Sequence, residues 1–227
     1  WAPSKAYSKS LGKCVAQLEH QYAKCQKQDM LHKDSLRILQ SAAESGCADA
    51  MFELGRCHDE GRGIEQDVAA AVKFYESASA KGHPQSMNTL GWCYLKGHGV
   101  QVDEKKAVSL LSKAAQHGLS EAQFNLAVCY TNGKGVPKSK ETAFQLFLLS
   151  AAAGNVEAMC TAAKCLQNGI GCEVDNNAAF KLWESAYSRG NGLAKEELAR
   201  CHFLGLGTPR CQTTAAKIMG ERVWSLG

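Results

Sequence analysis

Several features that would point to a chemical function are missing from this chain. Aromatic residues make up only 7% of its 227 residues, which argues against a base-stacking surface. Basic residues exceed acidic ones by four, 26 against 22. The longest basic runs are pairs such as Lys105-Lys106, so no arginine-rich stripe points to nucleic acid. The longest apolar stretch, 144–154, contains Gln145 and Ser150 and is far too short to span a bilayer. Direct membrane insertion is therefore not expected, and no secretory h-region is present. The chain starts at Trp1 rather than Met, so it reads as a processed or trimmed product, and any targeting segment would lie outside it. No CxxC occurs, and the neighbours Cys57-His58 and Cys201-His202 occupy consecutive helix positions that point different ways, which argues against zinc. No GxxxxGK[ST] phosphate cradle is found. No Ser/His/Asp grouping rises above chance. His83, His98 and His117 lie near loops or helix ends, where solvated or capping roles are expected. Catalytic residues, cofactors and metals are accordingly expected to be absent.

Glycine, by contrast, is placed with strict regularity. The pairs Gly61/Gly63, Gly97/Gly99, Gly133/Gly135, Gly169/Gly171 and Gly205/Gly207 follow one another at 36 residues without drift. Gly46, Gly82, Gly118, Gly154 and Gly190 keep the same step. So do Leu54, Leu90, Leu126, Ala162 and Leu198, and beside them Gly55, Gly91, Ala127, Ala163 and Ala199. A period of this length predicts an all-α solenoid of stacked units.

Each unit reads as two helices. The first, as in 48–60, runs to the GxG turn; the second, as in 67–81, runs to the next glycine. Ala50, Leu54 and Cys57 give the first helix an i, i+4, i+7 stripe, and Ala71, Phe74, Tyr75 and Ala78 do the same for the second. Glycine just after a helix supplies the left-handed conformation that β-carbons resist. Asp67, Asp103, Ser139 and Asp175 fall where a side-chain oxygen can cap the second helix. The small column at Gly55, Gly91 and Ala127 lets the two helices approach; larger residues there would cost about 1–3 kcal/mol. Residues 1–10 read as a tail and 11–45 as a degenerate first unit that caps the stack, with Leu18 in register and Cys25 and Lys27 where the GxG glycines would be. The last helix, predicted over 213–224, keeps Ile218, Val223 and Trp224 and has no polar cap after it. Either the array continues past residue 227, or this end docks on something, or it is self-covered.

These residues resemble a known family. The run Leu90-Gly91-Trp92-Cys93-Tyr94-Leu95-Lys96-Gly97-His98-Gly99-Val100, with Asp103 and Ala107 after it, is similar to the Sel1-like repeat, a relative of the tetratricopeptide repeat. Asn125 to Tyr130 with Gly133, Gly135 and Val136 matches nearly as well. The resemblance covers about residues 46–227, read as about five units in one continuous domain. His58, Leu166 and His202 depart from its tyrosine, and Cys172 and Thr208 from its valine. It implies a right-handed solenoid of antiparallel helix pairs with a concave face, used as a protein-binding scaffold or adaptor, and it implies no chemistry.

Eleven cysteines are many for such a chain. Cys57, Cys93, Cys129, Cys165 and Cys201 form a ladder on the first helix. Stacked helices sit roughly 8–10 Å apart, beyond the Cα separation of about 7 Å that a disulfide allows, so the ladder reads as a buried core position. Cys14, Cys25, Cys47, Cys160, Cys172 and Cys211 are scattered. One branch of the resembled family joins each helix pair through a regular disulfide; only Cys165 and Cys172 come near that spacing. A reducing compartment is favoured, with an oxidising one left open.

The resemblance also implies which first-helix positions face the groove. One column is Phe52, Asn88, Phe124, Cys160 and Glu196, and the next is Arg56, Trp92, Val128, Lys164 and Arg200. A third is Asp59, Leu95, Thr131, Gln167 and Phe203, and a fourth is Glu60, Lys96, Asn132, Asn168 and Leu204. Asn88, Trp92, Leu95 and Phe124 are expected as an apolar centre with Arg56, Lys164 and Arg200 as a charged rim. Phe52 and Phe124 could equally be inter-repeat packing residues. Leu148 and Leu149 replace polar pairs of sister units (Glu76/Ser77, Ser112/Lys113, Glu184/Ser185) and predict a second, weaker contact on the opposite side. The function expected is a non-enzymatic scaffold binding a protein or peptide. Alternatives are a structural subunit buried in a larger complex, through Leu148/Leu149 or the C-terminal helix, and a disulfide-stapled hydrolase of the kind suggested for cysteine-rich relatives.

Overall fold

In the computed structural model, residues 32–220 are described. Among them every regular element is an α-helix. These are α1 (His32–Glu44), α2 (Ala48–Glu60), α3 (Val68–Ala80), α4 (Pro84–Lys96), α5 (Glu104–Gln116), α6 (Ser120–Asn132), α7 (Lys140–Ala152), α8 (Val156–Asn168), α9 (Asn176–Ser188), α10 (Gly192–Leu204) and α11 (Gln212–Met219). Ten of them have the same length, 13 residues, and recur at the 36-residue step read from the glycines, so the fold is a solenoid of repeated helix pairs. Leu18, Cys14, Cys25 and Lys27 of the expected N-terminal unit lie outside the described residues, as do Val223 and Trp224. α11 stops at Met219, short of the expected end, because Gly220 takes the left-handed conformation there (φ 80°).

The helices divide into two compact units, one ending at Val102 and one beginning at Asp103. In the first, α1 to α4 each pack on the next, and in the second α5 to α11 do so. The first unit is cored by Leu39, Ala43, Ala50, Leu54 and Cys57. The second is cored around Phe144, Phe147, Met159, Trp183 and Leu198. One column of the second helices supplies the bulk throughout: Leu39 and Tyr75 in the first unit, Leu111, Phe147 and Trp183 in the second, all buried. Each such side chain contributes about 1.5–3 kcal/mol by leaving water.

The caps follow the sequence pattern. Asp67, Asp103, Ser139 and Asp175 accept from the backbone N–H of Ala70, Lys106, Thr142 and Ala178. The first glycine of each pair ends a first helix in the left-handed region, as at Gly133 (φ 73°), whose N–H donates to the carbonyl of Cys129. The second glycine does something different. A β-carbon on Gly99 would lie 2.8 Å from the carbonyl oxygen of Val68. On Gly135, Gly171 or Gly207 it would overlap the carbonyl of Glu104, Lys140 or Asn176. Each of those carbonyls belongs to the first turn of the preceding unit's second helix, so the second glycine is where one repeat's turn lies against the repeat before it. Gly135 N–H also donates to the Glu104 carboxylate at 3.0 Å. Gly55 has a third role: its β-carbon would sit 2.5 Å from the Tyr75 ring.

Candidate functional site

In the first unit, α4 places Asn88, Trp92 and Leu95 within two turns. Leu90, Gly91, Cys93 and Tyr94 turn inward, which leaves Trp92 outward and 43% exposed. Its ring meets that of His98 edge-on at 5.4 Å. His98 Nε2 lies 2.7 Å from Asp59 Oδ1, and the other oxygen of Asp59 accepts the Tyr75 hydroxyl at 3.4 Å. The indole therefore rests on a histidine that is itself held by a carboxylate. Asn88 and Leu95 flank it half-buried. Arg56, expected as a charged rim residue, is half-buried and paired with Glu53 at 3.2 Å and Glu60 at 3.6 Å. Phe52 is a packing residue: it lies 5.7 Å from the Tyr75 ring and 5.0 Å from that of His83.

In the second unit, Phe124 is half-buried and its ring meets Phe147 at 5.5 Å, so it is anchored to the core more than offered to solvent. Cys160, in the same column, is buried and is no surface residue; α8 turns Met159 and Cys160 together into the core. Lys164 and Arg200 are exposed. Arg200 pairs with Glu197 and donates to Gln167 Oε1 at 3.4 Å. On the opposite side, Leu148 and Leu149 part company. Leu148 borders the stripe of Phe144, Phe147 and Ala151 and packs against the core. Leu149, a further 100° round the helix, is 56% exposed.

The thiol ladder is buried at every described rung. Burial is the main cause that raises the pKa of Cys57, Cys93, Cys129, Cys165 and Cys201, Cys93 to about 11. All nine described cysteines are free thiols, Cys165 and Cys172 among them. Cys211 differs: the Thr213 and Thr214 hydroxyls, at 3.3 Å and 3.0 Å, bring its pKa down to about 7.

One constellation escaped the sequence reading. Asp49 Oδ1 lies 3.0 Å from His83 Nε2, and His83 Nδ1 lies 2.9 Å from Ser86 Oγ. The order of contacts resembles a hydrolytic triad, but the geometry serves a cap. Ser86 is 0% exposed, and Nδ1 also accepts the Ser86 backbone N–H, as the N-cap of α4. The spacing of 34 residues between Asp49 and His83 carries no recognisable local motif; only the repeat register brings them together. Among the described residues no helix is long and apolar enough to cross a membrane, and no group of three His, Cys, Asp or Glu side chains could hold a metal ion.

Sel1 repeats match the chain at residues 48–83, 84–119, 120–155, 156–191 and 193–217. Among solved structures, it is similar to a protective antigen of uropathogenic Escherichia coli with an SLR fold, at 28% identity and TM-score 0.81. That likeness covers 95% of this chain and 46% of the antigen, so the chain spans about half of that protein's length. A Sel1 repeat protein from Oxalobacter formigenes is similar at 27% identity and TM-score 0.77, over 83% of this chain and 78% of that one. The immunity protein Pa5087 from Pseudomonas aeruginosa, at 18% identity and TM-score 0.57 over 91% of this chain and 80% of its own, shares the fold alone. No curated protein sequence matches.

Proposed function

This chain belongs to the Sel1 repeat family, and from that premise we propose that it is a non-enzymatic scaffold or adaptor that holds a partner protein or peptide on its first-helix faces. Sel1 repeat proteins generally act as protein-interaction scaffolds. The observation that carries the reading here is Trp92. A large apolar side chain stands outward at a position where sister repeats carry Arg56, Val128, Lys164 and Arg200, so packing does not require it. It is also held in place from below by His98 and Asp59. An aromatic group fixed before binding loses little rotamer freedom on contact, which is what a binding hot spot needs. Asn88 and Leu95 supply its surroundings, and in the second unit the exposed Lys164 and Arg200 hold the corresponding position. The 36-residue step passes through the boundary after Val102 unbroken, which favours one array.

The test compares the full chain with Trp92→Ala in capture of cellular partners, followed by titration of the partner identified. Truncating a hot spot weakens binding by about 2 kcal/mol or more while helical content stays the same. Unchanged affinity, or a melted fold, removes Trp92 and this reading with it. A permanent place in a larger complex is the second reading, favoured by the exposure of Leu149 on the other side. A clean monomer in size-exclusion chromatography, unaltered by Leu149→Glu, counts against it.

A further inference from the structure

We propose that His98 makes the Trp92 surface proton-responsive, so that a proton taken up on the imidazole changes the charge and hydrogen bonding beside the exposed indole. This rests on the partner-binding reading above and adds a means of regulating that site. Asp59 and His98 meet across 39 residues, Oδ1 to Nε2 at 2.7 Å, and the His98 ring meets that of Trp92 edge-on at 5.4 Å. The repeat register shows that the fold does not need this trio. In the later repeats the positions of Asp59 and His98 hold Leu95 with Lys134, Thr131 with Ile170 and Gln167 with Leu206. None of these pairs sets a carboxylate against a base. Val128, Lys164 and Arg200 stand at the Trp92 position, and none is aromatic. Carboxylate, imidazole and indole coincide once in the register, so packing does not require them.

The contacts fix where the proton goes. An ionised carboxylate only accepts, so the His98 nitrogen facing Asp59 carries a hydrogen, and Nδ1 is left to take a proton. The His98 side chain is 35% exposed, which gives solvent access to it. The groups around it keep their charge state. Tyr75 of α3 donates to the other Asp59 oxygen at 3.4 Å, and burial, then the Asp59 carboxylate, raises its pKa. The same two causes push the Cys93 thiol of α4 up to about 11. Arg56 of α2, which also acts on Tyr75, is bracketed by Glu53 and Glu60. Histidine is the side chain whose charge ordinarily changes between about pH 5 and 8. On protonation the contact with Asp59 becomes a charge-assisted ion pair, which keeps the ring in place. The indole then has a cation within about 6 Å, where its π-system is sensitive to charge, and Nδ1 changes from an acceptor to a donor.

The experiment compares the fluorescence emission of the full chain with that of Trp92→Phe between about pH 8 and pH 5. The difference isolates Trp92 from Trp1, Trp183 and Trp224. An imidazolium in contact with an indole quenches its emission more than a neutral ring does, so the Trp92 signal should fall in one step on acidification. His98→Gln should abolish the step and His83→Asn should leave it in place, with helical circular dichroism unchanged throughout. Nuclear magnetic resonance reads the same event without altering His98. The histidine ring signal that is displaced in Trp92→Phe belongs to His98, and it should titrate with the midpoint of the emission step. A partner that needs Trp92 should change affinity through that same midpoint. No step, a step that survives His98→Gln, two different midpoints, or a constant partner affinity overturns the proposal, and in each case the scaffold reading stands. If the step is present but the captured partner binds Trp92→Ala as well as the unaltered chain, the scaffold reading fails and the proton coupling remains.

Discussion

Nδ1 of His83 accepts the backbone N–H of Ser86 at 3.2 Å, so the first turn of α4 is capped by a group that loses its lone pair when protonated. Burial lowers the His83 pKa, and the Asp49 and Glu53 carboxylates only partly oppose it. The folded state thus binds the proton less readily than the unfolded chain does. Stability from this group is complete above the ordinary histidine range, about pH 6.5, and falls as the pH drops from there through the folded pKa. Urea denaturation at several pH values should show the midpoint declining on acidification. His83→Asn, which caps as Asn155 and Asn191 already do, should flatten part of that slope. An unchanged slope would show that His83 is not the titrating group.

Two left-handed glycines of one repeat, the one after its second helix and the second of its GxG pair, should not be equal under mutation. Gly190→Ala meets nothing within 4 Å and should cost only the left-handed backbone term, about 1–2 kcal/mol. Gly171→Ala adds a clash with the Lys140 carbonyl, worth a further 1–3 kcal/mol or so. Denaturant titration of the two variants checks the ranking, and equal losses would mean that neighbouring repeats do not touch at the second glycine.

Leu119 stands where Asn155 and Asn191 cap the first helix, and it makes no cap hydrogen bond. Leu119→Asn should stabilise the chain by about 0.5–1 kcal/mol, since the N–H of α6 gains an acceptor. A lower melting temperature for the variant would show that the half-buried Leu119 side chain matters more than the missing cap.

Thiol labelling near neutral pH should mark Cys211 well before any ladder cysteine. The Cys211 thiolate is favoured by its two threonine hydroxyls, whereas the ladder thiols are buried and held protonated. Mass mapping after timed alkylation reads the order. Modification of Cys93 or Cys201 at the same rate in the folded chain would mean that the ladder is not core.

The glycine beat, read with the apolar stripes and the Asp and Ser column, was enough to place the helix pairs, their caps at Asp67, Asp103, Ser139 and Asp175, and the buried ladder. Local rules set all of these: a left-handed turn needs glycine, and a helix start needs an acceptor. What the sequence left unresolved depends on neighbours in space. Phe124 and Cys160 share a column with Asn88, yet Phe147 draws the first toward the core and the second is buried outright. Leu148 and Leu149 are adjacent letters of the same type, and only the helix angle separates the one that packs from the one that does not. The support beneath Trp92 joins residues 39 positions apart, Asp59 and His98, and no short motif announces it.

The approach of Gly135, Gly171 and Gly207 to the carbonyls of Glu104, Lys140 and Asn176 bears on how such a chain can change over generations. Each junction uses the same pair of atoms 31 residues apart, so a duplicated or deleted block of one whole period recreates a junction already proven. A shift of one or two letters between those atoms would misplace every later junction in its unit. Length variation among descendants should therefore come in full-period steps, with odd-sized insertions confined to the tips that no junction reads.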